Sequence, residues 1–263
     1  MINYITPENI DRTGFVTAAF SLRDPQVRLY FRPGEKYEEI AENNRRFLEQ
    51  LDLSADKLVT VNQKHTANVH AVSPEDVGCS LKRDRIRDTD GIVTDIPGAV
   101  LTVNVADCSA VYLADPVSKS IGLCHAGRRG ALNKIAAVTV RKMSENFGAD
   151  PAHILAWISP CICRECYEVG TEVKEETLGL WGEKAGAVLR EDPHTGRTHF
   201  DLKLANRLVL LEAGIRSENL EISGECTCCD RSRFYSFRGD GKIINEMGAY
   251  MSIRPECFRG EDI

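Results

Sequence analysis

Apolar residues recur along this chain in two rhythms: short runs of strand length, and longer stretches spaced three and four apart. In the opening third, FVTAAFSLR and VRLYFR predict strands. Lys36 to Leu51 predicts an amphipathic helix, because Tyr37, Ile40, Phe47, Leu48 and Leu51 keep helical spacing. LTVNV, VYLA and IGLC are rich in branched side chains and predict buried strands. VTVNQKHTANVHAV begins as a further apolar stretch, is interrupted by a polar turn, and resumes. Ala131 to Phe147 predicts a helix with Ile135, Ala136, Val140, Met143 and Phe147 on one face, stopped by Gly148 and Asp150-Pro151. HILAWISP predicts a buried strand, and YEVGTEVKEETLGLW a helix starting near Glu168 or Gly170. Asp201 is the expected N-cap of LKLANRLVLLEAG, which ends at Gly214, and LEISGE returns as a strand. RFYSFRGDGK predicts a strand running into an Asp-Gly hairpin, with the closing strand near AYMSI. The charged stretch Cys79 to Asp88 reads as a mobile loop.

A chain of 263 residues with 43% hydrophobic content can bury a full core, and one α/β domain accommodates it. The 33 basic and 39 acidic residues give a net charge of -6. No global field draws nucleic acid or an anionic membrane, so neither is an expected partner, and an anionic substrate needs local arginines. No run has the length of a membrane span, and MINYITPENIDRTG lacks the regions of a signal peptide. The expected location is the cytoplasm, with the ten cysteines mostly reduced. No dimerisation heptad is visible, so a monomer is expected.

The chemistry concentrates between Val103 and Gly130, where Cys108 and His125 close apolar runs beside the turn HAGRRGA. His65, in the polar turn of the earlier stretch, is the best third ligand. Two neutral imidazoles and a thiolate suit Zn2+, and three protein ligands leave a fourth position open. Such a site lowers the pKa of bound water. The H-x-E triplet of zinc nucleobase deaminases is missing. HAGRRGA enters a helix, so backbone N–H groups together with Arg128 and Arg129 suit phosphate or carboxylate oxygens. Taken singly, a strand-end cysteine is a core residue, a histidine is hydrogen-bonded, and paired arginines are solvated.

Three other readings compete, two of them on the same residues. Cys108 and His125 could serve a cysteine hydrolase as nucleophile and base. Two histidines and a cysteine could hold copper for a phenol oxidase, although six histidines with no H-x-H pair argue against a multicopper oxidase. In a non-enzymatic zinc-binding module, CICREC and CTCC would supply a four-thiolate site if the two loops meet; otherwise these thiols only pack. Asp107 is the nearest acidic candidate for a proton shuttle, but alternation in an extended segment points it away from Cys108.

Ordered matches from about Asn44 onward give a whole-chain likeness. NQKHTANVH resembles a Q-V-H-G segment, DTDGIVTDIPGAVLTVNVADC a D-x-L-V-T to A-D-C run, and DP with HAGRRG a D-P to H-A-G-W-R-G run. ISPCICRECYEVGTEV, HFDLKLANR and CTCCDRSRFYSFRGDG resemble Y-E-V-G, D-L-x-x-x-N-R and S-Y-R-x-D-G segments. On these motifs the chain resembles the YfiH family of laccase-domain proteins, formerly described as polyphenol oxidases and including YlmD-like members.

The resemblance implies an α/β (α+β) single domain over 1–263, with two mixed sheets packed between helices. It implies zinc held by His65, Cys108 and His125. It also implies purine nucleosides and phosphate as partners. The activities it implies are phosphorolysis of adenosine, inosine, guanosine and S-methyl-5'-thioadenosine to free base and (methylthio)ribose 1-phosphate, and deamination of adenosine. Cys108, His125 and Arg129 would be catalytic, with Arg129 and Arg45 binding phosphate or ribose. Asn206, Arg207 and Arg238 fall in matched segments and either border the pocket or cap and solvate. Arg128 stands where the family has tryptophan, which removes an aromatic wall. Lys64-His65-Thr66 stands for V-H-G, and SLRDPQVRLYFRPGEKYEE lacks a clear S-x-N-L-G stretch.

Overall fold

Alternation along Ser109–Asp115 organises the architecture. Ala110, Tyr112 and Ala114 enter one buried cluster, while Val111 and Leu113 enter another, so this strand is apolar on both faces and both need cover. In the computed structural model, which describes residues 1–31, 36–82, 85–241 and 245–258, that strand lies inside a six-stranded sheet. Its order is Leu220–Ile222, Leu155–Ile158, Ser109–Asp115, Ser120–Ala126, Gly91–Thr94 and Val69–Ala71. The inner pairs are antiparallel and the pair at each edge is parallel.

A five-stranded sheet runs Tyr4–Ile5, Val16–Ser21, Met247–Ile253, Val100–Val105 and Leu58–Thr60. Only its last pair is parallel. The two sheets face one another across a core that joins Phe20, Val103 and Met251 to Tyr112, Leu123 and Trp157. Trp157 meets Phe20 and Tyr112 edge-on, with centroids 6.2 and 5.1 Å away. The Tyr112 hydroxyl donates to the Ala19 carbonyl at 2.8 Å, satisfying the one polar atom this ring carries into the core. Burying each such ring contributes about 1.5–3 kcal/mol.

Helices close both outer faces. Ile40, Phe47 and Leu48 of Tyr37–Glu49 cover the five-stranded sheet. Ile135–Phe147 and Leu202–Glu212 cover the six-stranded one through Ile135, Val140, Met143, Val209 and Leu210. The result is the expected mixed α/β arrangement of two mixed sheets between helices. A three-stranded antiparallel sheet, Glu168–Val169, Thr198–Phe200 and Leu189–Glu191, sits beside it. Among the described residues, no helix is long and apolar enough to cross a membrane.

Local signals account for most element ends. The Asp201 side chain accepts from Leu204 N, capping its helix as expected. Gly148 ends Ile135–Phe147 with φ +69, a left-handed value that glycine adopts at little cost. The helix expected over 131–147 is in fact two, Arg128–Leu132 and Ile135–Phe147, separated by Lys134 at φ 60.

Two expected strands are absent from the described residues. In VRLYFR, Leu29 and Phe31 pack against the covering helix, and helix side chains rather than a sheet take the carbonyls: Asn43 donates to Arg28 O and Asn44 to Leu29 O. Lys242 lies outside the described residues. The rest of that segment, RFYSFRGDG, folds into turns, because carboxylates capture its N–H groups; Ser236 donates to Asp240 and Arg238 to Asp107. The strand Met247–Ile253 pairs instead with Val16–Ser21 and Val100–Val105. Within the stretch 79–88, residues 83–84 lie outside the described residues. On either side the chain is tied down, with Ser80 Oγ donating to Leu58 O and Ile86 N to Thr60 O.

Candidate metal centre and cleft

The chain twice crosses between the sheets at one end of the sandwich, and each crossing carries a metal-ligand type. The polar turn between Leu58–Thr60 and Val69–Ala71 joins strands of different sheets and holds His65. The link from Val100–Val105 to Ser109–Asp115 holds Cys108. His125 comes from the end of Ser120–Ala126, opposite Ala110 and in parity with Ile121 and Leu123, which face the space between the sheets. The donor atoms of His65, Cys108 and His125 all lie within 4.8 Å of one another. The imidazoles stand nearly perpendicular, with centroids 4.7 Å apart.

Asp90 holds two of these residues in place. Its buried carboxylate accepts from His125 Nδ1 at 2.8 Å and from three successive backbone N–H groups, Lys64 at 3.1, His65 at 3.0 and Thr66 at 2.8 Å. The Thr66 hydroxyl adds a fifth donor at 2.8 Å, and the Asp90 carbonyl accepts from His125 N. A carboxylate can only accept here, so the His125 proton sits on Nδ1 and the other ring nitrogen is left to ligate. The backbone donors hold His65 at φ 59, a left-handed conformation that costs a residue of this type about 1–3 kcal/mol elsewhere.

Electrostatics tie the ligands together before any ion enters. Burial works to raise the Cys108 thiol, but the charge and hydrogen bond of His125, with the hydrogen bond of His65, bring it down to about 6. Burial works to lower His125, but the Cys108 charge and the Asp90 hydrogen bond push it up to about 10. Burial also acts to raise Asp90, yet His125 and the backbone N–H groups of Thr66 and Lys64 hold it well below the usual carboxylate range. Gly127 leaves the room the thiol occupies, since a Cβ there would stand 2.5 Å from Cys108 Sγ.

These ligands open onto a cleft of about 510 Å3. Arg129 lines it and is exposed; among the described residues no side chain pairs with its guanidinium. Arg128 also lines it but is ion-paired to Glu176 of helix Thr171–Trp181. An aromatic wall does exist without a tryptophan: Tyr30, Tyr167 and Phe237 line the cleft. Arg238 lies over the Tyr167 ring at 5.5 Å. Burial, with the Cys108 charge, raises the Tyr167 phenol, which keeps it a neutral donor.

Other candidates fall into place around the cleft. Both Asp107 oxygens are engaged, one by Thr227 Oγ1 and one by Arg238 N, each at 2.7 Å, so this residue braces the loop that carries Phe237 and Arg238. Asn206 is buried and donates to Ser109 Oγ, Ala126 O and Leu202 O, pinning helix to strand outside the cleft. Arg207 is exposed and does not line the cleft. Arg45, expected at the substrate, is exposed and pairs with Glu42 at 2.6 Å, and it does not line the cleft. Asp90, Tyr167 and Phe237 were the omissions. The signal for Asp90 was a carboxylate directly ahead of the GIVT strand, which by itself reads as a turn.

Two imidazoles and a thiolate fit a single borderline-soft ion with an open coordination position. A multicopper arrangement does not fit. The other histidines join no second histidine-bearing ligand group among the described residues, and His70 is taken by Asp76 at 2.9 Å.

Residues 14–254 match the family described as multi-copper polyphenol oxidoreductase laccase. A Deinococcus radiodurans protein named purine nucleoside phosphorylase is 37% identical over 84% of this chain and 81% of its own. A protein from an unknown prokaryotic organism, named adenosine deaminase RL5, is 34% identical over 72% of each chain. The crystal structure of the Bacillus licheniformis hypothetical protein YfiH superposes with a TM-score of 0.87 at 28% identity, covering 95% of this chain and 96% of its own.

Proposed function

Since this chain belongs to the multi-copper polyphenol oxidoreductase laccase family, we propose that its cleft is the active site of a zinc-dependent purine nucleoside enzyme. It would split adenosine, inosine, guanosine and S-methyl-5'-thioadenosine with phosphate and would deaminate adenosine with water. Relatives named for both activities support the reading. The observation that carries it is the convergence of His65, Cys108 and His125 at a cleft that also presents an unpaired arginine and aromatic rings. A cleft of this size lies in the range of small-molecule sites. Residues 1–263 act as one catalytic domain, and a reducing cytoplasm suits its free thiols.

When bound, zinc would supply Lewis acidity at its open position. The rest is done by the chain itself. Arg129 holds the phosphate by charge-assisted hydrogen bonds, with the N-terminus of Arg128–Leu132 beside it. Tyr167 and Phe237 pack on the faces of the purine. A phosphate oxygen then bonds to C1' of the ribose as the C1'–N9 bond breaks, and the departing base takes up a proton. Asp90 keeps His125 in its ligating tautomer, and Asp107 fixes the loop bearing Phe237 and Arg238.

A nucleoside panel run with and without phosphate tests the reading. With phosphate, free base and ribose 1-phosphate are expected; without it, adenosine should give inosine. Absence of ribose 1-phosphate from every nucleoside would exclude the phosphorylase.

A further inference from the structure

Away from the cleft lining, Cys163, Cys166, Cys226 and Cys229 converge from two loops separated by 59 residues of chain. We propose that they hold a second, structural zinc ion. The two pairs are Cys163-Arg-Glu-Cys166 and Cys226-Thr-Cys-Cys229, each with the two-residue spacing by which adjacent cysteines chelate one tetrahedral ion.

Geometry carries the assignment. All four sulfurs lie within 4.8 Å of one another. Cys163 and Cys166 stand 4.0 and 3.4 Å from Cys229. A tetrahedral ion with metal–sulfur bonds of about 2.3 Å spans sulfur–sulfur edges of about 3.8 Å. A polynuclear iron–sulfur cluster interposes its own atoms and would spread the thiolates further apart.

Backbone donors already serve the thiolate charge, since Cys226 Sγ accepts from Cys163 N at 3.2 Å and Cys229 N at 3.4 Å. The loops are also joined by main chain, through a bridge between Cys161 and Cys226 and a bond from Thr227 N to Cys161 O. The convergence is therefore a feature of the backbone and not of four flexible side chains alone.

The ion would clamp the wall of the cleft. One loop leads into Tyr167, and Ile162 within it donates to Asp107 O. The other holds Thr227, which donates to the Asp107 carboxylate, and runs on towards Phe237 and Arg238. Zinc at this point ties together the two segments that present the aromatic wall, with no part in bond making.

The test is a metal count on full-length protein purified in reductant and saturated with zinc, then freed of excess by gel filtration. The wild type should carry one zinc more than Cys226→Ser/Cys229→Ser. His65→Ala should lose only the zinc of the cleft. An unchanged count in the double variant overturns the proposal, as does iron in its place. Cobalt substitution of the wild type decides the matter even if the double variant fails to fold. Four cobalt–sulfur bonds give intense thiolate charge-transfer absorption in addition to that of the single Cys108 bond. A spectrum with the intensity of one thiolate overturns the assignment.

Discussion

Asp90→Asn changes no volume and yet should cripple both the fold around the cleft and its hold on metal. The carboxylate serves five donors, and an amide keeps only one oxygen. With the amide nitrogen in place of Oδ2, Lys64 N and Thr66 N lose their acceptor, while the Thr66 hydroxyl can turn. With the nitrogen in place of Oδ1, His65 N loses its acceptor and the His125 proton is driven onto the nitrogen that should ligate. A fully buried N–H left unpaired costs about 1–3 kcal/mol; Lys64 N and Thr66 N are only partly buried, so the first arrangement loses at most about 2–6 kcal/mol. Typical domains have only about 5–15 kcal/mol in all. Loss of such a partner to a ligating histidine should also weaken zinc about 10–100-fold.

Urea melts of the metal-free wild type and variant measure the first effect, and competition with a chromophoric chelator measures the second. Because folding depresses the Asp90 pKa, its contribution is fully present above the unfolded value of about 3.9. It is lost as pH falls toward the lower folded value. The stability gap between wild type and variant should therefore narrow in acid. An unchanged urea midpoint with unchanged zinc affinity would refute the reasoning.

Gly127→Ala should fold, because its φ of -71 is ordinary, but the new methyl displaces Cys108 Sγ; calorimetry should show zinc weakened about tenfold or more. In metal-free protein the ultraviolet absorbance of the Cys108 thiolate should titrate near pH 6, with His125 protonated to about pH 10. Lowering the thiol stabilises the fold at high pH and is lost as pH falls through about 6, whereas raising the imidazole stabilises at low pH and is lost as pH rises through about 10. The ion pair thus holds between those limits, and a thiolate midpoint at the ordinary cysteine value counts against it. Arg129→Ala should raise the phosphate KM about tenfold or more while sparing deamination of adenosine, as one lost charge-assisted contact implies; equal loss of both activities would assign Arg129 another role.

The cleft was legible where chemistry sits beside a strong periodic signal. Cys108 and His125 close apolar runs that become Val100–Val105 and Ser120–Ala126, so the ends of buried strands marked the site. His65 stood out only as the best third ligand, because a histidine in a polar turn carries no periodicity and spacing alone cannot join it to the other two. Asp90 was invisible for a related reason: its importance lies in donors 24 to 35 residues away, and only the folded chain brings them together. RFYSFRGDGK misled because its aromatic residues have strand composition, while tertiary carboxylates claimed its N–H groups. The exposed position of Arg45 was not legible, because a motif position fixes neither the face of the helix nor the partner Glu42. The two cysteine loops gave a spacing signal whose meaning hung on whether they meet, and they do.

The central claim is that His65, Cys108 and His125 hold the zinc on which purine nucleoside turnover depends. The direct measurement is phosphate-dependent release of ribose 1-phosphate from inosine by chelator-stripped protein, before and after readdition of zinc or copper, with Cys108→Ser in parallel. Zinc should restore turnover in the wild type and not in the variant. Turnover that survives stripping but is abolished by iodoacetamide, or copper-restored oxidation of a phenol without ribose 1-phosphate, would contradict it.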